Sequence, residues 1–321
     1  MAQASAMPGR VFVVGAYLPN GGAYMAYRVA RILELDFGWK GIAVSLPGQG
    51  PASSAVHTYE AEFPTVTMEA MEGAITSRDI LIANPSFSMH QFGLRLPGRK
   101  LMYVQGFSTY AVLDCYFDSY VAASRFVADY ISNLYGMRAP VIPPFIKLED
   151  FPRPTPWLQR PPASILVNAK GNDAILHRLR EMIAREDAQI KLEDVLSPLP
   201  DAVPHRELIE RLGSYRYLLS LSPAEGFGLI PLEAMAMATV VLGFDGFGGR
   251  EYMDSGRNCL VTSYPDLDGL VRHIVTGVHD QALAQRLSDE GRATAQRYTY
   301  ARFHAAWREQ LRRFLQAGAD A

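Results

Sequence analysis

SPAEGFGLIPLEAMAMATVVLGFDGFGG, residues 222–249, is the stretch that decides the fold. An apolar run, YRYLLSL (215–221), leads into it and reads as a buried strand. A turn holding Glu225, Gly226 and Gly228 follows, then a helix from about Leu229 that carries Glu233. TVVLGF (239–244) is the next strand, and GFGG closes the segment. This is a strand–turn–helix–strand unit of a parallel α/β sheet. Two glycines let backbone N–H groups come close to whatever lies above the strand, and the first helical turn has unpaired donors. Together they suit an anion such as a diphosphate. Glu233, one turn further in, is placed to accept hydrogen bonds from a ribose diol, as the acidic residue of dinucleotide folds does.

The same alternation extends in both directions. VFVVGAY (11–17) ends in PNGG and a helical pattern follows; GIAVSL (41–46), DILIAN (79–84), KLMYVQG (100–106) and SYVAAS (119–124) read as further strands. VIPPFIKLEDFPRPTPWLQRPP (141–162) has seven prolines, too many for the interior of a βαβ unit, and marks a boundary. Beyond it lie SILVNAK (164–170), a helix over 172–185, a strand near 189–195 and a helix from His205, and three helices over 266–277, 280–294 and 299–317 close the chain. The expected fold class is α/β: two Rossmann-like domains, 1–145 and 146–298, facing each other across a cleft, with a last helix, 299–321, packing back on the first. Ligands of such sheets bind at the carboxyl ends of the strands.

Thirty-one Lys and Arg against 33 Asp and Glu give a net charge of −2 over 321 residues. Neither half is basic, which argues against a nucleic-acid partner and leaves at most peripheral membrane association. Two cysteines make neither a disulfide framework nor a zinc site. MAQASAMPGR lacks the layout of a signal peptide, so a cytoplasmic setting is expected.

Two glutamates with seven residues between them, Gly-Phe-Gly after the first and Glu-Ala-Met-Ala opening at the second, resemble the signature of family-4 retaining glycosyltransferases of the GT-B fold. Further stretches are similar in the same order: YLPNGGAYMAYRVARIL (17–33), YVAASRFVADYI (120–131) with VIPPFIKLEDF (141–151), GFGGREYMDSGRNCLV (246–261) and YTYARFHAAWREQL (298–311). The resemblance implies an enzyme that moves a sugar from a nucleotide-sugar donor to a glycan, lipid-linked sugar or small molecule with retained configuration. It implies that Glu225 contacts the donor sugar, that Glu233 binds the ribose and that the amides from Gly226 through Phe227 and Gly228 to Leu229 hold the diphosphate. Gly21 and Gly22 would approach the donor phosphates, and Gly248 and Gly249 would line the sugar. No cofactor or metal is implied, with a cation offsetting the leaving diphosphate.

That cation is where the sequence departs from the pattern. The family shows Arg and then Lys-Gly after the first strand of the second domain, whereas here the strand ends Asn168-Ala169-Lys170-Gly171. Lys170 is the candidate, with Arg250 or Arg125 as substitutes for the missing arginine. Gln105 and His90 are candidate sugar contacts from the first domain, with a structural role as the competing reading for both. Asp266-Leu267-Asp268 spells a metal-binding tripeptide of another glycosyltransferase fold, but it follows Pro265 and opens a helix, so capping is the better reading. LPGQGPASS (46–54) is a loop that would help to choose the acceptor. Competing functions are a nucleotide-sugar epimerase of the same fold, or an inactive glycosyltransferase-like partner subunit.

Overall fold

The computed structural model describes residues 9–46, 56–59, 61–195 and 204–317. Most of the acceptor loop expected over 46–54 therefore lies outside the described residues. The chain divides into two compact units: one holds the residues up to Ala123, Val127–Ile142 and the chain from Ala301, and the other holds Ser124–Phe126 and Pro143–Tyr300.

The first unit is built on β1 (Arg10–Val14), α1 (Gly21–Phe37), β2 (Lys40–Ser45), β3 (Thr65–Thr67), α2 (Met68–Ala74), β4 (Ile80–Ala83), α3 (Phe92–Arg95), β5 (Arg99–Val104), β6 (Ser119–Ala122) and, from Val127 onward, α4 (Arg125–Tyr135). Its strands are parallel in the order β3-β2-β1-β4-β5-β6. Val11–Val14 and Ile80–Ala83 are buried on both faces, as uninterrupted apolar runs in a parallel sheet must be. Asn20 caps α1, its side-chain oxygen accepting the Ala23 N–H at 2.9 Å, which sets Gly21 and Gly22 in the first helical turn. The Pro-Asn before this helix and its repeated apolar face announce it; the short strand β3 has no comparable signal.

The second unit follows with α5 (Asp173–Glu186) after β7 (Ser164–Asn168), then β8 (Lys191–Val195), α6 (His205–Leu212), β9 (Tyr217–Ser220), α7 (Leu229–Ala236), β10 (Val240–Phe244), β11 (Leu260–Thr262), α8 (Leu267–His279) and α9 (Gln281–Ala295). Its parallel order is β11-β10-β9-β7-β8, so β7, β9 and β10 are neighbours at the centre. Arg160 is buried at 3% exposure and ties the linker to this sheet by donating to the carbonyls of Thr155, Tyr215, Met237 and Ala238. Asp266 accepts the Gly269 N–H at 2.8 Å and caps α8, the role expected for that tripeptide.

The last helix, α10 (Tyr300–Gln316), belongs from Ala301 onward to the first unit. Trp307 is fully buried and meets Tyr103 of β5 edge-on, ring centres 4.9 Å apart. Arg99 lies over the Phe314 ring at 4.0 Å and donates to the carbonyls of Phe314 and Leu315 at the helix end. No helix among the described residues is long and apolar enough to cross a membrane.

Candidate functional site

Three loops leave the carboxyl ends of adjacent strands β7, β9 and β10, and each carries residues singled out by sequence. The loop after β7 holds Lys170 and Gly171. Asn168, the last residue of that strand, is buried, and its carbonyl accepts the Leu221 N–H at 3.0 Å. The Asn172 amide donates to the Leu221 carbonyl at 3.0 Å. The ends of β7 and β9 are thereby stapled together. Asn168 thus ends the strand with its side chain buried, while Lys170 projects beyond it with its side chain half exposed.

Lys170 reaches across to the next loop. Its Nζ lies 3.2 Å from Glu225 Oε1, with the two side chains 52% and 27% exposed. An ion pair this wet contributes only about 0–1 kcal/mol, so a stronger ligand can separate it. Lys170 has φ +50°, a left-handed backbone that a lysine adopts only where its surroundings enforce it.

Glu225 is held from the other side by the loop after β10. Its N–H donates to the Gly246 carbonyl at 2.8 Å, and its carbonyl accepts the Gly248 N–H at 3.0 Å. Phe247, between them, has φ +64°, a second strained non-glycine residue in the same place. A Cβ on Gly248 would stand 2.3 Å from the Gly226 carbonyl carbon, so only glycine lets these backbones approach. Gly249 differs, since a Cβ there would meet only the Met253 side chain, at 3.0 Å.

Phe227 is buried, packed on Tyr252 and Tyr298 with centres 5.1 and 5.5 Å away, so it can offer a ligand its amide and not its ring. Gly228, at φ +85°, opens α7 without any side-chain cap, and Leu229 and Ile230 behind it are half-buried. The start of this helix is therefore a set of backbone donors that no side chain caps among the described residues. Tyr252 donates its hydroxyl to the Gly228 carbonyl and fixes the turn.

Glu233 lies in α7 at 5% exposure. A buried carboxylate needs partners, and His205 at the start of α6 supplies one, its Nε2 standing 2.7 Å from Oε1. Burial pushes the His205 imidazolium down, but the charge and hydrogen bond of Glu233, with Asp150 adding, bring it above its ordinary value. Among the described residues no donor meets the other oxygen, Oε2. Sequence reading missed His205: it lies 28 positions before Glu233, with no motif linking the two.

The other candidates are placed as follows. Arg250 binds Asp245 at 2.7 Å and lies over the Phe247 ring at 4.9 Å, and Arg125 pairs with Glu251 at 3.3 Å, so each candidate substitute for the missing arginine already has an acid. In the first unit, the Gln105 amide donates to the Gly22 carbonyl at 3.0 Å, which ties the first turn of α1 to the end of β5. His90 is exposed and stacks on Phe92, centres 5.1 Å apart. Ser124, a residue not foreseen, donates its buried hydroxyl to the Gly226 carbonyl at 2.6 Å; the adjacent Phe126 stacks on Phe247 at 5.0 Å. Among the described residues no three His, Cys, Asp or Glu side chains gather to hold a metal ion.

Two Rossmann-like parallel-sheet units in one chain define the GT-B fold, and comparison with known proteins agrees. Residues 198–294, which contain the Glu225 and Glu233 loops, match the model of the family described as glycosyl transferases group 1. Among solved structures, sucrose-phosphate synthase from Thermosynechococcus elongatus superposes with TM-score 0.68 at 13% identity, over 96% of this chain and 100% of that one. Anabaena HepE, solved in complex with UDP-glucose, gives TM-score 0.64 at 15% identity over 94% and 99%. At such identities the likeness is one of fold. By sequence, the GtfA subunit of the UDP-N-acetylglucosamine–peptide N-acetylglucosaminyltransferase of Streptococcus gordonii is 26% identical over 163 residues, 48% of this chain and 30% of that protein. The chain thus spans less than a third of the length of the curated relatives it matches.

Proposed function

We propose that this protein is a retaining glycosyltransferase that takes its sugar from a nucleotide-sugar donor bound on the second unit. One observation carries the reading: an uncapped helix start and the Lys170–Glu225 pair lie at the carboxyl ends of neighbouring strands, with a second carboxylate, Glu233, one turn into that helix. The diphosphate takes the amides at the start of α7 and draws Lys170 away from Glu225 as a point charge. Glu225, released from the pair, accepts a hydroxyl of the donor sugar. Glu233 accepts the ribose through Oε2. As the anomeric carbon–oxygen bond to the diphosphate breaks, the acceptor oxygen bonds that carbon from the same face. The departing phosphate oxygen takes the acceptor's proton. The acceptor is a glycan, lipid-linked sugar or small molecule bound outside this donor site. The free thiols Cys115 and Cys259 suit a reducing, cytoplasmic setting.

Thermal shift against UDP, GDP, ADP and their sugars tests the reading, stabilisation by at least one nucleotide being the expected result. A protein indifferent to all of them is not this enzyme. Glu233→Ala is expected to weaken nucleotide and nucleotide-sugar alike by about 1.5–3 kcal/mol, the range for a hydrogen bond to a charged group. Unchanged nucleotide affinity in that variant would take the ribose from Glu233. Because the helix start and Lys170 already offset diphosphate charge, calorimetric nucleotide binding should survive EDTA. Loss of binding on chelation would show that a divalent ion belongs in the site.

A further inference from the structure

Glu233 is a buried acid with its two oxygens in different situations. Oε1 is 2.7 Å from His205 Nε2, and Oε2 has no donor among the described residues. An ionised carboxylate only accepts, so the His205 ring must present N–H at Nε2 in this contact. The ring is itself held: it opens α6 immediately after Pro204 and meets Phe151 edge-on with centres 6.2 Å apart. A glutamate side chain turns freely about its last bond unless something fixes it, and that last torsion has broad wells. The imidazole supplies the fixed point, and it also repays part of the cost of burying the charge.

We infer that His205 is a positioning residue for nucleotide recognition: by holding Oε1 it fixes the Glu233 carboxylate and aims Oε2 at the vicinal hydroxyls of a ribose. The inference rests on the reading of Glu233 as the ribose acceptor and adds to it the residue that makes the acceptor rigid. A ligand gains most from a group that needs no reordering on binding. The benefit of His205 therefore appears only with ligands that carry the ribose diol. It is absent when those hydroxyls are removed, although every phosphate and base contact stays.

The test compares UDP, GDP or ADP, whichever binds wild type most tightly, with its 2′,3′-dideoxy counterpart by calorimetry. Wild type should prefer the ribonucleotide. His205→Ala should lose roughly three- to tenfold in affinity for the ribonucleotide, the effect of one net hydrogen bond, and almost nothing for the dideoxy form. His205→Gln, which keeps an N–H donor near the same place, should recover most of the preference. Equal losses for both ligands, or a preference as large as in wild type, would make His205 a packing residue and overturn the inference. Wild type without any preference would instead remove the ribose role of Glu233 itself. Should His205→Ala not fold, failure of His205→Gln to keep the preference overturns the inference in the same way.

Discussion

Glu225→Gln is expected to lower turnover by roughly 10²–10³ while changing nucleoside-diphosphate affinity by no more than about threefold. The two effects separate because the carboxylate is assigned to the transferred sugar, which free nucleotide lacks. A charge-assisted hydrogen bond that positions the sugar contributes most as the anomeric carbon loses its leaving group. The backbone gives no route for an indirect effect. Glu225 is pinned by its bonds to Gly246 and Gly248, and glutamine keeps the same length and one acceptor oxygen. Breaking the exposed pair with Lys170 removes at most about 1 kcal/mol of stability. Turnover, nucleotide affinity and melting temperature on this one variant decide the matter. Near wild-type turnover with a lowered melting temperature would mean that Glu225 serves only to hold its loop.

Gly248→Ala is expected to damage both folding and activity. The added methyl would stand 2.3 Å from the Gly226 carbonyl carbon and 2.4 Å from the Glu225 oxygen, and neither backbone group can swing aside as a flexible side chain would. The two loops must separate, at a cost of about 1–3 kcal/mol or more, and Glu225 moves with them. A fall of several degrees in melting temperature follows, at roughly 2–4 °C per kcal/mol for a unit of this size, together with loss of most of the turnover. Gly249→Ala is the matched control, since its methyl would press only on the thioether of Met253, which has three rotatable bonds. A Gly248→Ala protein as stable and active as the Gly249→Ala control would contradict the close approach of the two loops.

These two neighbouring glycines show how far the sequence can be read. Gly-Gly after TVVLGF announces a backbone that comes close to something, yet the partner of each glycine emerges only when the loop after β10 lies on the loop after β9. The sheets themselves are legible, because Val11–Val14, Ile80–Ala83, Tyr217–Ser220 and Val240–Phe244 are apolar runs that make sense only as strands buried on both faces. Thr65–Thr67 is three residues long with no buried side chain and leaves no such trace. The site divides in the same way. Glu225, Glu233 and Gly228 lie within one strand–turn–helix segment, so local spacing brings them together. His205 and Ser124 reach that segment from 28 and 102 positions away, a matter of tertiary packing that no local pattern encodes.

Amide hydrogen exchange with and without nucleotide-sugars tests the donor site most directly. Adding UDP-glucose, GDP-mannose or ADP-glucose at saturation should, for at least one of them, protect the amides of Gly226–Ile230 at the opening of α7. Those of Lys170–Gly171 should be protected with them. Both segments lie at the carboxyl ends of neighbouring strands, and the diphosphate is expected to bridge them. Protection confined to other parts of the chain, or no protection with any donor that binds, would contradict the placement of the nucleotide-sugar on these loops.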